Sequence, residues 1–186
     1  MLEWFQALEG GFLLWVQEAV RGPVLDAFFV FYTQLGNHGL LWIALSLLLL
    51  CFPKTRRAGF CALLALLFGL LCTNVVLKHL FQRTRPWLVV EGLSHLVEEH
   101  DPNSFPSGHT TAAFAAGVVW FRALPWRWGR IAALTAAVLM GLSRLYVGVH
   151  FPTDVLMGAL VGTLCALASL ALVGRFWSRR PSQPPR

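Results

Sequence analysis

Long apolar runs separated by short polar stretches dominate the pattern of this chain. Five of them have a length that suits membrane helices: residues 23–52, 58–80, 110–124, 131–149 and 152–176. A helix needs about 20 apolar residues to cross a bilayer, and the bilayer interior offers no partner for unpaired backbone groups, so spanning segments are helical. The pattern therefore predicts an all-α fold, a polytopic transmembrane helical bundle with five or six membrane helices.

Two of these runs are irregular. The first is long and carries two glycines, Gly36 and Gly39, around which we expect a break. The third is short for a span, and it is expected to recruit residues 105–109 or other flanking residues.

The first twenty residues differ from the five runs. Apolar side chains recur there near helical spacing: Trp4, Phe5, Leu8, Phe12, Trp15 and Val16. Polar side chains lie between them: Glu3, Gln6, Glu9 and Gln17. An amphipathic helix of this kind lies in the membrane interface, so residues 1–20 are predicted to form an interfacial helix. A sixth span is the alternative, although the run is short for one.

The composition is that of a membrane protein with one domain. Hydrophobic residues make up 56 % of the 186 residues and charged residues only 13 %, about half the charge of an average soluble domain. We expect one membrane-embedded domain over residues 1–177 and a disordered basic tail over residues 178–186. The net charge of +6 does not indicate nucleic-acid binding, because the basic residues cluster between the apolar runs.

The basic residues also predict the orientation of the chain. If the spans alternate, ten of the fifteen fall on one side of the membrane: Lys54, Arg56, Arg57, Arg122, Arg127, Arg130, Arg175, Arg179, Arg180 and Arg186. Short cytoplasmic loops carry the excess of lysine and arginine. The chain is therefore predicted to be a multi-pass cell-membrane protein, with the loop 82–107 and the turn around His150 on the extracytoplasmic side.

Three polar segments are expected to meet at that extracytoplasmic end: residues 78–86, 106–109 and 143–154. They contribute the cations Lys78, Arg85 and Arg144. A charge at membrane depth is costly and usually functional. Arginine binds phosphate oxygens through two parallel hydrogen bonds, and lysine adds a compact charge. The segments therefore predict a site for a phosphoryl group.

Two histidines complete this candidate site. His109 follows Ser107 and Gly108 at a helix start, where backbone N–H groups and the helix dipole attract an anion. His150 has Asp154 four residues later, from where a carboxylate reaches the imidazole and fixes its tautomer. His150 is therefore the predicted nucleophile. His109 has no acidic residue at that spacing and is the predicted general acid.

Each motif taken alone also has a structural interpretation. Lys78 and Arg85 resemble residues that extend from helix ends to the interface. The segment at Ser107 suits a helix cap, and His150 with Asp154 suits a capping pair. The remaining histidines have no such partners and are interpreted as structural or solvated: His38, His79, His95 and His100.

An acidic stretch lies in the loop before the second motif. Glu98, Glu99 and Asp101 are interpreted as part of a solvated loop. A metal site is the alternative, because His95 and His100 would add imidazole ligands to the carboxylates.

Three motifs together resemble the signature motifs of the type 2 phosphatidic acid phosphatase superfamily, in order and spacing: Lys78-x6-Arg85-Pro86, Pro106-Ser107-Gly108-His109 and Ser143-Arg144-x5-His150-x3-Asp154. Every motif position matches, and three spaced motifs are far more specific than any one of them. The resemblance implies a helical-bundle core. It also implies phosphate binding by Lys78, Arg85, Ser107, Gly108 and Arg144, with His109 as acid, His150 as nucleophile and Asp154 as its orienting partner.

The resemblance also implies a class of reaction. The three cations take the part that a divalent ion has elsewhere, so no metal and no other cofactor are expected. The short chain is similar to bacterial members that act on undecaprenyl diphosphate or phosphatidylglycerol phosphate. A site on the outer side favours the diphosphate of a carrier lipid, cleaved through a phosphohistidine.

Two alternatives to the carrier lipid stay open at the level of sequence. The first is a phosphatase for phosphatidylglycerol phosphate or another phospholipid, which would use the same residues. The second belongs to another class, a lipid-binding or lipid-moving membrane protein without turnover. In each case the expected partners are a lipid phosphate or diphosphate and the bilayer, and the oligomeric state is left open.

Overall fold

The computed structural model describes residues 2–177, with side chains from residue 6 to residue 175. Its helices are α1 Leu2–Trp15, α2 Pro23–Leu35, α3 Leu40–Leu50, α4 Arg56–Leu70, α5 Lys78–Phe81, α6 Pro86–Val89, α7 Gly108–Ala123, α8 Arg127–Tyr146 and α9 Pro152–Trp177. Two π-helical segments, Val16–Val20 and Leu71–Leu77, prolong α1 and join α4 to α5. The all-α prediction is confirmed for this part of the chain, whereas the predicted disordered tail lies outside it.

Two of the helices are long and apolar enough to cross a membrane. They are Arg56–Phe81, which combines α4, the π segment and α5, and Pro152–Arg175 in α9. The pair α2 and α3 passes the same test as one unit that is bent by 50°. Many large apolar side chains face outward from the bundle, as lipid contact requires. The count of five or six spans stays a prediction, because α7 and α8 do not meet this test of length and composition.

The expected break in the first run is confirmed. A short 3₁₀ turn, Asn37–Gly39, separates α2 from α3. His38 and Gly39 there have φ angles of 53° and 73°, and this left-handed region favours glycine. The break matters for the site because it brings Asn37 within hydrogen-bonding distance of His109.

Helix α7 lies at the centre of the bundle and packs against α4, α8 and α9. Small residues make this close packing feasible, and four of them are buried: Ala113, Ala115, Ala116 and Gly117. Helix α9 presents Gly158 and Gly162 to α7, four residues apart on one face. A Cβ at Gly158 would lie 2.7 Å from the Ser107 carbonyl oxygen. Small residues at this spacing let helix backbones approach each other in membranes.

We expect Gly162→Leu to destabilise the fold, because any Cβ at Gly162 would clash with the Thr111 backbone and with Phe114. Overpacking a close interface costs about 1–3 kcal/mol. The measurement is the thermal midpoint of the protein in detergent. Gly11→Ala serves as the control, since a Cβ at Gly11 meets nothing within 4 Å. An unchanged midpoint for Gly162→Leu would contradict the close contact between α7 and α9.

Helix α1 rests on the end of the bundle that carries the site. Its Leu13 packs with Leu93 and Phe151, and Val16 packs with Tyr146 and Val149. Phe12 and Trp15 stay exposed on the other side of the helix. The predicted helix is therefore present, and its contacts with the loops at one end of the bundle are compatible with the interfacial position.

The opposite end of the bundle carries the basic loops. Arg57 at the start of α4 lies beside Gly174 near the end of α9, and Arg130 donates to the Leu124 carbonyl between α7 and α8. Lys78, His150 and the first turns of α7 and α9 lie at the other ends of these helices. The cluster of basic loops and the candidate site are thus separated by the length of the bundle.

Candidate active site

The residues of the three motifs converge in one buried cluster. Their side chains are almost entirely withdrawn from solvent, with Lys78 the most exposed at 7 %: Lys78, Arg85, Ser107, Arg144, His150 and Asp154. They come from the start of α5, the loop after it, the start of α7, the end of α8, the turn before α9 and the first turn of α9. Buried charges need partners, and the partners define the geometry of the site.

Arg85 is at the centre of the cluster. Its Nη1 lies 3.1 Å from His150 Nε2 and also donates to the Val149 carbonyl. Its Nε donates to the Asp101 carbonyl and its Nη2 to Glu99 Oε2. Burial lowers the pKa of Arg85 to about 10, so the guanidinium remains cationic at neutral pH.

Arg144 reaches the same point from α8. Its Nη1 donates to Thr33 Oγ1 at 2.7 Å, and its Nη2 donates to Glu99 Oε1. The remaining donor, Nε, is buried without a hydrogen-bond partner among the described residues. A buried donor of this kind costs about 1–3 kcal/mol or more, and an anion in the site would satisfy it.

The acidic loop is more than a solvated loop, because two of its three carboxylates, Glu99 and Asp101, pair with the cations of the site, while Glu98 is exposed. Glu99 joins Arg85 to Arg144, and Asp101 forms an ion pair with Lys78. The pKa of Asp101 is lowered: burial alone would raise it, but hydrogen bonds from Lys78 and the Asn103 amide outweigh that effect. The carboxylates are engaged by the three cations, because burial makes an unpaired cation too costly.

The hydrogen bonds of His150 indicate its tautomer. Arginine is only a donor, so His150 Nε2 accepts from Arg85 and carries a lone pair. The proton of the neutral ring then resides on Nδ1, which lies 3.5 Å from Asp154 Oδ2. That distance exceeds a normal hydrogen bond, and catalytic hydrogen bonds are often long before substrate binds. The lone pair thus lies on the side of the ring that faces Arg85, and a nucleophile for phosphorus requires such a lone pair.

The surroundings also keep His150 unprotonated. Burial lowers the pKa of His150 well below its ordinary range, and the positive charges of Arg85 and Arg144 lower it further. A neutral imidazole is the nucleophilic form. The same cations that suit a phosphate group therefore also preserve the reactive state of the ring.

Ser107 and Gly108 begin α7 as expected. The Ser107 hydroxyl accepts from the Thr110 amide as a helix cap, while the Ser107 amide donates to the Asp154 carbonyl at 3.0 Å. The sequence predicted that the Ser107 N–H would point at an anion. In the structure this N–H is instead bonded to the protein, through the Asp154 carbonyl. Gly108 lies close to Asn74, whose Oδ1 would be 3.3 Å from a Cβ at that position.

His109 is placed differently from His150. Its Nε2 lies 3.0 Å from Asn37 Oδ1 in the break between α2 and α3. No carboxylate is among its hydrogen-bond partners in the described part of the chain, as the sequence had indicated. Its general-acid role remains a prediction.

Four partners of the site were missed by sequence reasoning: Glu9, Thr33, Asn37 and Arg83. Arg83 donates to Asp154 Oδ1 and to Glu9 Oε2. For Glu9 the missed signal was a carboxylate between apolar residues of α1. Charges and hydrogen-bonding groups within such runs mark candidate functional positions.

Comparison with known proteins identifies the family. The sequence model of the PAP2 superfamily matches residues 58–178, more than half of the chain, with all three motifs inside the match. The chain belongs to the PAP2 superfamily. The resemblance of the three motifs to this superfamily is thereby confirmed, and the residues of the candidate site described above lie within the matched region.

The proteins similar to this PAP2 chain include a phosphatase of known name and two solved structures. The undecaprenyl-diphosphatase of Sulfolobus acidocaldarius is 31 % identical over 149 residues, 80 % of this chain and 70 % of that protein. The crystal structure of Aquifex aeolicus LpxE superposes with a TM-score of 0.74 and 32 % identity, covering 91 % of this chain and 94 % of the other.

The second structure is the transmembrane PAP2-type phosphatidylglycerolphosphate phosphatase of Bacillus subtilis. Its TM-score is 0.75 at 28 % identity, with 94 % of this chain and 89 % of the other covered. The family and these relatives identify the PAP2 chain as an enzyme of the phosphatase class. The alternative of a protein without turnover is therefore set aside.

Proposed function

We propose that this chain hydrolyses a lipid diphosphate, with undecaprenyl diphosphate as the first candidate, through a phosphohistidine at His150. The observation that carries the chemistry is the 3.1 Å contact between His150 Nε2 and Arg85 Nη1, in a site that also buries Arg144 and Lys78. The name of the Sulfolobus relative supports the choice of lipid.

The proposed reaction has two steps. His150 Nε2 attacks phosphorus in line with the leaving oxygen, and the P–O bond breaks as the P–N bond forms. His109 gives a proton to that oxygen. Water then attacks the phosphohistidine, passes a proton to His109 and releases inorganic phosphate. Lys78, Arg85 and Arg144 stabilise the charge of the phosphoryl oxygens in both transition states.

A substrate phosphate must displace carboxylates before this reaction begins. Glu99 now occupies the Nη2 donors of both Arg85 and Arg144, and two anions do not share one set of donors without strong repulsion. The buried Nε of Arg144 offers a further donor to the incoming phosphate. The proposed binding step is therefore an exchange of one anion for another.

We expect Glu99→Gln to tighten inhibition by inorganic phosphate or vanadate. The competing charge is lost from the free enzyme, and a charge-assisted hydrogen bond of roughly 1.5 kcal/mol corresponds to about tenfold in the inhibition constant. The neighbouring exposed Glu98 gives the matched control, Glu98→Gln, which should leave the constant unchanged. Weaker inhibition in Glu99→Gln would mean that Glu99 holds the arginines in place for phosphate.

We further propose that the site opens to the extracytoplasmic side. The basic loops lie at the opposite end of the bundle from His150, and basic loops favour the cytoplasm. A carrier-lipid diphosphate released on the outer leaflet would meet such a site directly.

The orientation predicts a labelling pattern in intact cells. In a background without the four native cysteines, Ser94→Cys should react with a membrane-impermeant thiol reagent and Arg57→Cys should not. Both positions are exposed at opposite ends of the bundle, so access decides the outcome. The reverse pattern would place the site on the cytoplasmic leaflet and remove the support for a carrier lipid.

Phosphatidylglycerol phosphate is the second candidate substrate, because the Bacillus structure with that named activity shares the fold. The two candidates separate in a panel of purified lipid phosphates and diphosphates, compared by kcat/KM in excess EDTA. His150→Ala is the control for adventitious phosphatase. A higher kcat/KM for undecaprenyl diphosphate supports the proposal, and a higher value for phosphatidylglycerol phosphate selects the alternative. Loss of all activity with EDTA and its return with a divalent metal would overturn the metal-free mechanism.

A further inference from the structure

Arg83 is a fourth cation at the site. Its side chain contacts Asp154, Glu9 and Phe151 and does not join Lys78, Arg85 and Arg144. Its Nη1 lies 2.7 Å from Asp154 Oδ1, and its Nη2 lies 2.6 Å from Glu9 Oε2. The guanidinium also lies 4.0 Å above the centre of the Phe151 ring. Packing against the ring and two carboxylates fixes the orientation of this planar group.

The contacts of Asp154 divide its two oxygens. Oδ2 accepts from the Phe151 amide at 2.8 Å and faces His150 Nδ1. Oδ1 accepts from Arg83, and Ser104 also interacts with this carboxylate. Rotation of the carboxylate about its bond to Cβ would move Oδ2 away from His150. Arg83 opposes that rotation because it holds the other oxygen.

Glu9 holds Arg83 from the amino-terminal helix. Glu9 is buried, with 8 % of its surface exposed, and its Oε2 accepts a hydrogen bond from Arg83. Its Oε1 accepts from both the amide and the hydroxyl of Thr153, each at 2.7 Å. The carboxylate therefore ties α1 to the first turn of α9, the turn that carries Asp154. A chain of contacts runs from α1 through Glu9, Arg83 and Asp154 to the imidazole.

We propose that Arg83 and Glu9 are positioning residues, which hold Asp154 in the rotation that keeps the His150 proton on Nδ1 and the lone pair on Nε2. The amino-terminal helix is then a functional part of the active site as well as a membrane contact. This inference rests on the proposed roles of His150 and Asp154 in phosphoryl transfer.

Arg21 provides a matched control for a purely structural role. It also anchors the amino-terminal segment, through donors to the Tyr146 carbonyl, to Ser94 and to Gln17. These hydrogen bonds of Arg21 do not reach Asp154 or His150. Arg21→Gln therefore loosens the same part of the chain without touching the carboxylate that faces the imidazole.

The kinetic test compares Arg83→Gln, Glu9→Gln and Arg21→Gln in the full-length protein in detergent. We expect kcat to fall on the order of 10- to 100-fold in Arg83→Gln, as for outer partners of metal-bound histidines, with KM nearly unchanged. Glu9→Gln should lose less, and the double variant should lose no more than Arg83→Gln, because both act through Asp154. Arg83→Lys should recover part of kcat, and Arg21→Gln should keep it. An Arg83→Gln variant with unchanged kcat overturns the inference.

A spectroscopic test reads the tautomer directly. In protein labelled with ¹⁵N-histidine, the His150 signals, assigned by their loss in His150→Gln, should report a proton on Nδ1 in the native chain. Arg83→Gln and Asp154→Asn should shift the balance toward a proton on Nε2, and Arg21→Gln should not. An unchanged balance in Arg83→Gln, or an equal shift in Arg21→Gln, shows that Arg83 merely anchors α1. An active His150→Ala enzyme would instead defeat the proposed function itself, so the two failures are distinguishable.

Discussion

We expect His150→Ala to lose turnover of every phosphate ester, whereas His109→Ala should lose it mainly for esters whose leaving group needs a proton. Without His150 no phosphohistidine forms, whatever the leaving group. An alkoxide needs a proton to leave, and a general acid raises the rate of such a reaction by about 10²–10⁴-fold. A nitrophenolate leaves without one. His109→Ala should therefore lose much more activity on an alkyl phosphate than on p-nitrophenyl phosphate.

The measurement is kcat/KM for the two esters, because truncation of His109 also removes its contact with Asn37 and so alters substrate binding. His79→Ala is the control, since His79 is exposed and outside the cluster. Equal losses on both esters in His109→Ala would argue against the acid role. A residual reaction of the activated ester in His150→Ala, with His109→Ala inactive, would mean that the two histidines have exchanged roles.

Arg144→Lys should lower kcat/KM by about 10²–10³-fold, the effect of removing one preorganised donor from a developing oxyanion. The substitution keeps the charge, but a lysine ammonium cannot reproduce the fork that now contacts Thr33 and Glu99 and leaves Nε for the phosphate. Inhibition by vanadate should weaken in parallel, because a trigonal-bipyramidal adduct on His150 resembles the transition state.

Arg127→Lys is the matched control for that substitution. Arg127 is exposed at the end of the bundle with the basic loops, so the same chemical change there should leave activity unaltered. A loss below about threefold in Arg144→Lys would show that the position needs only positive charge, since a point charge would then be as effective as the guanidinium fork.

The sequence by itself predicted the helices and brought together the motif residues of the candidate site. A bilayer leaves the backbone no alternative to helix, so the apolar runs predicted the span Arg56–Phe81 and helix α9 to within a few residues. The glycines of the first run predicted its break. The short separation of His150, just before α9, and Asp154, in its first turn, predicted their contact, and the structure has their side chains 3.5 Å apart. The helix bounds, the break and this pair all depend on residues that are close in the chain, so the sequence alone predicts them.

Only the tertiary structure decided the partners of these residues. Glu99 meets Arg144 across 45 positions, and Glu9 meets Thr153 across 144. No periodicity encodes pairs that distant, because they depend on how the helix ends and loops assemble. The loop with Glu99 and Asp101 looked solvated since it is acidic and lies between spans. Its Glu99 and Asp101 pair with the site because three desolvated cations require counter-charges, and that requirement appears only once the helix ends have been brought together.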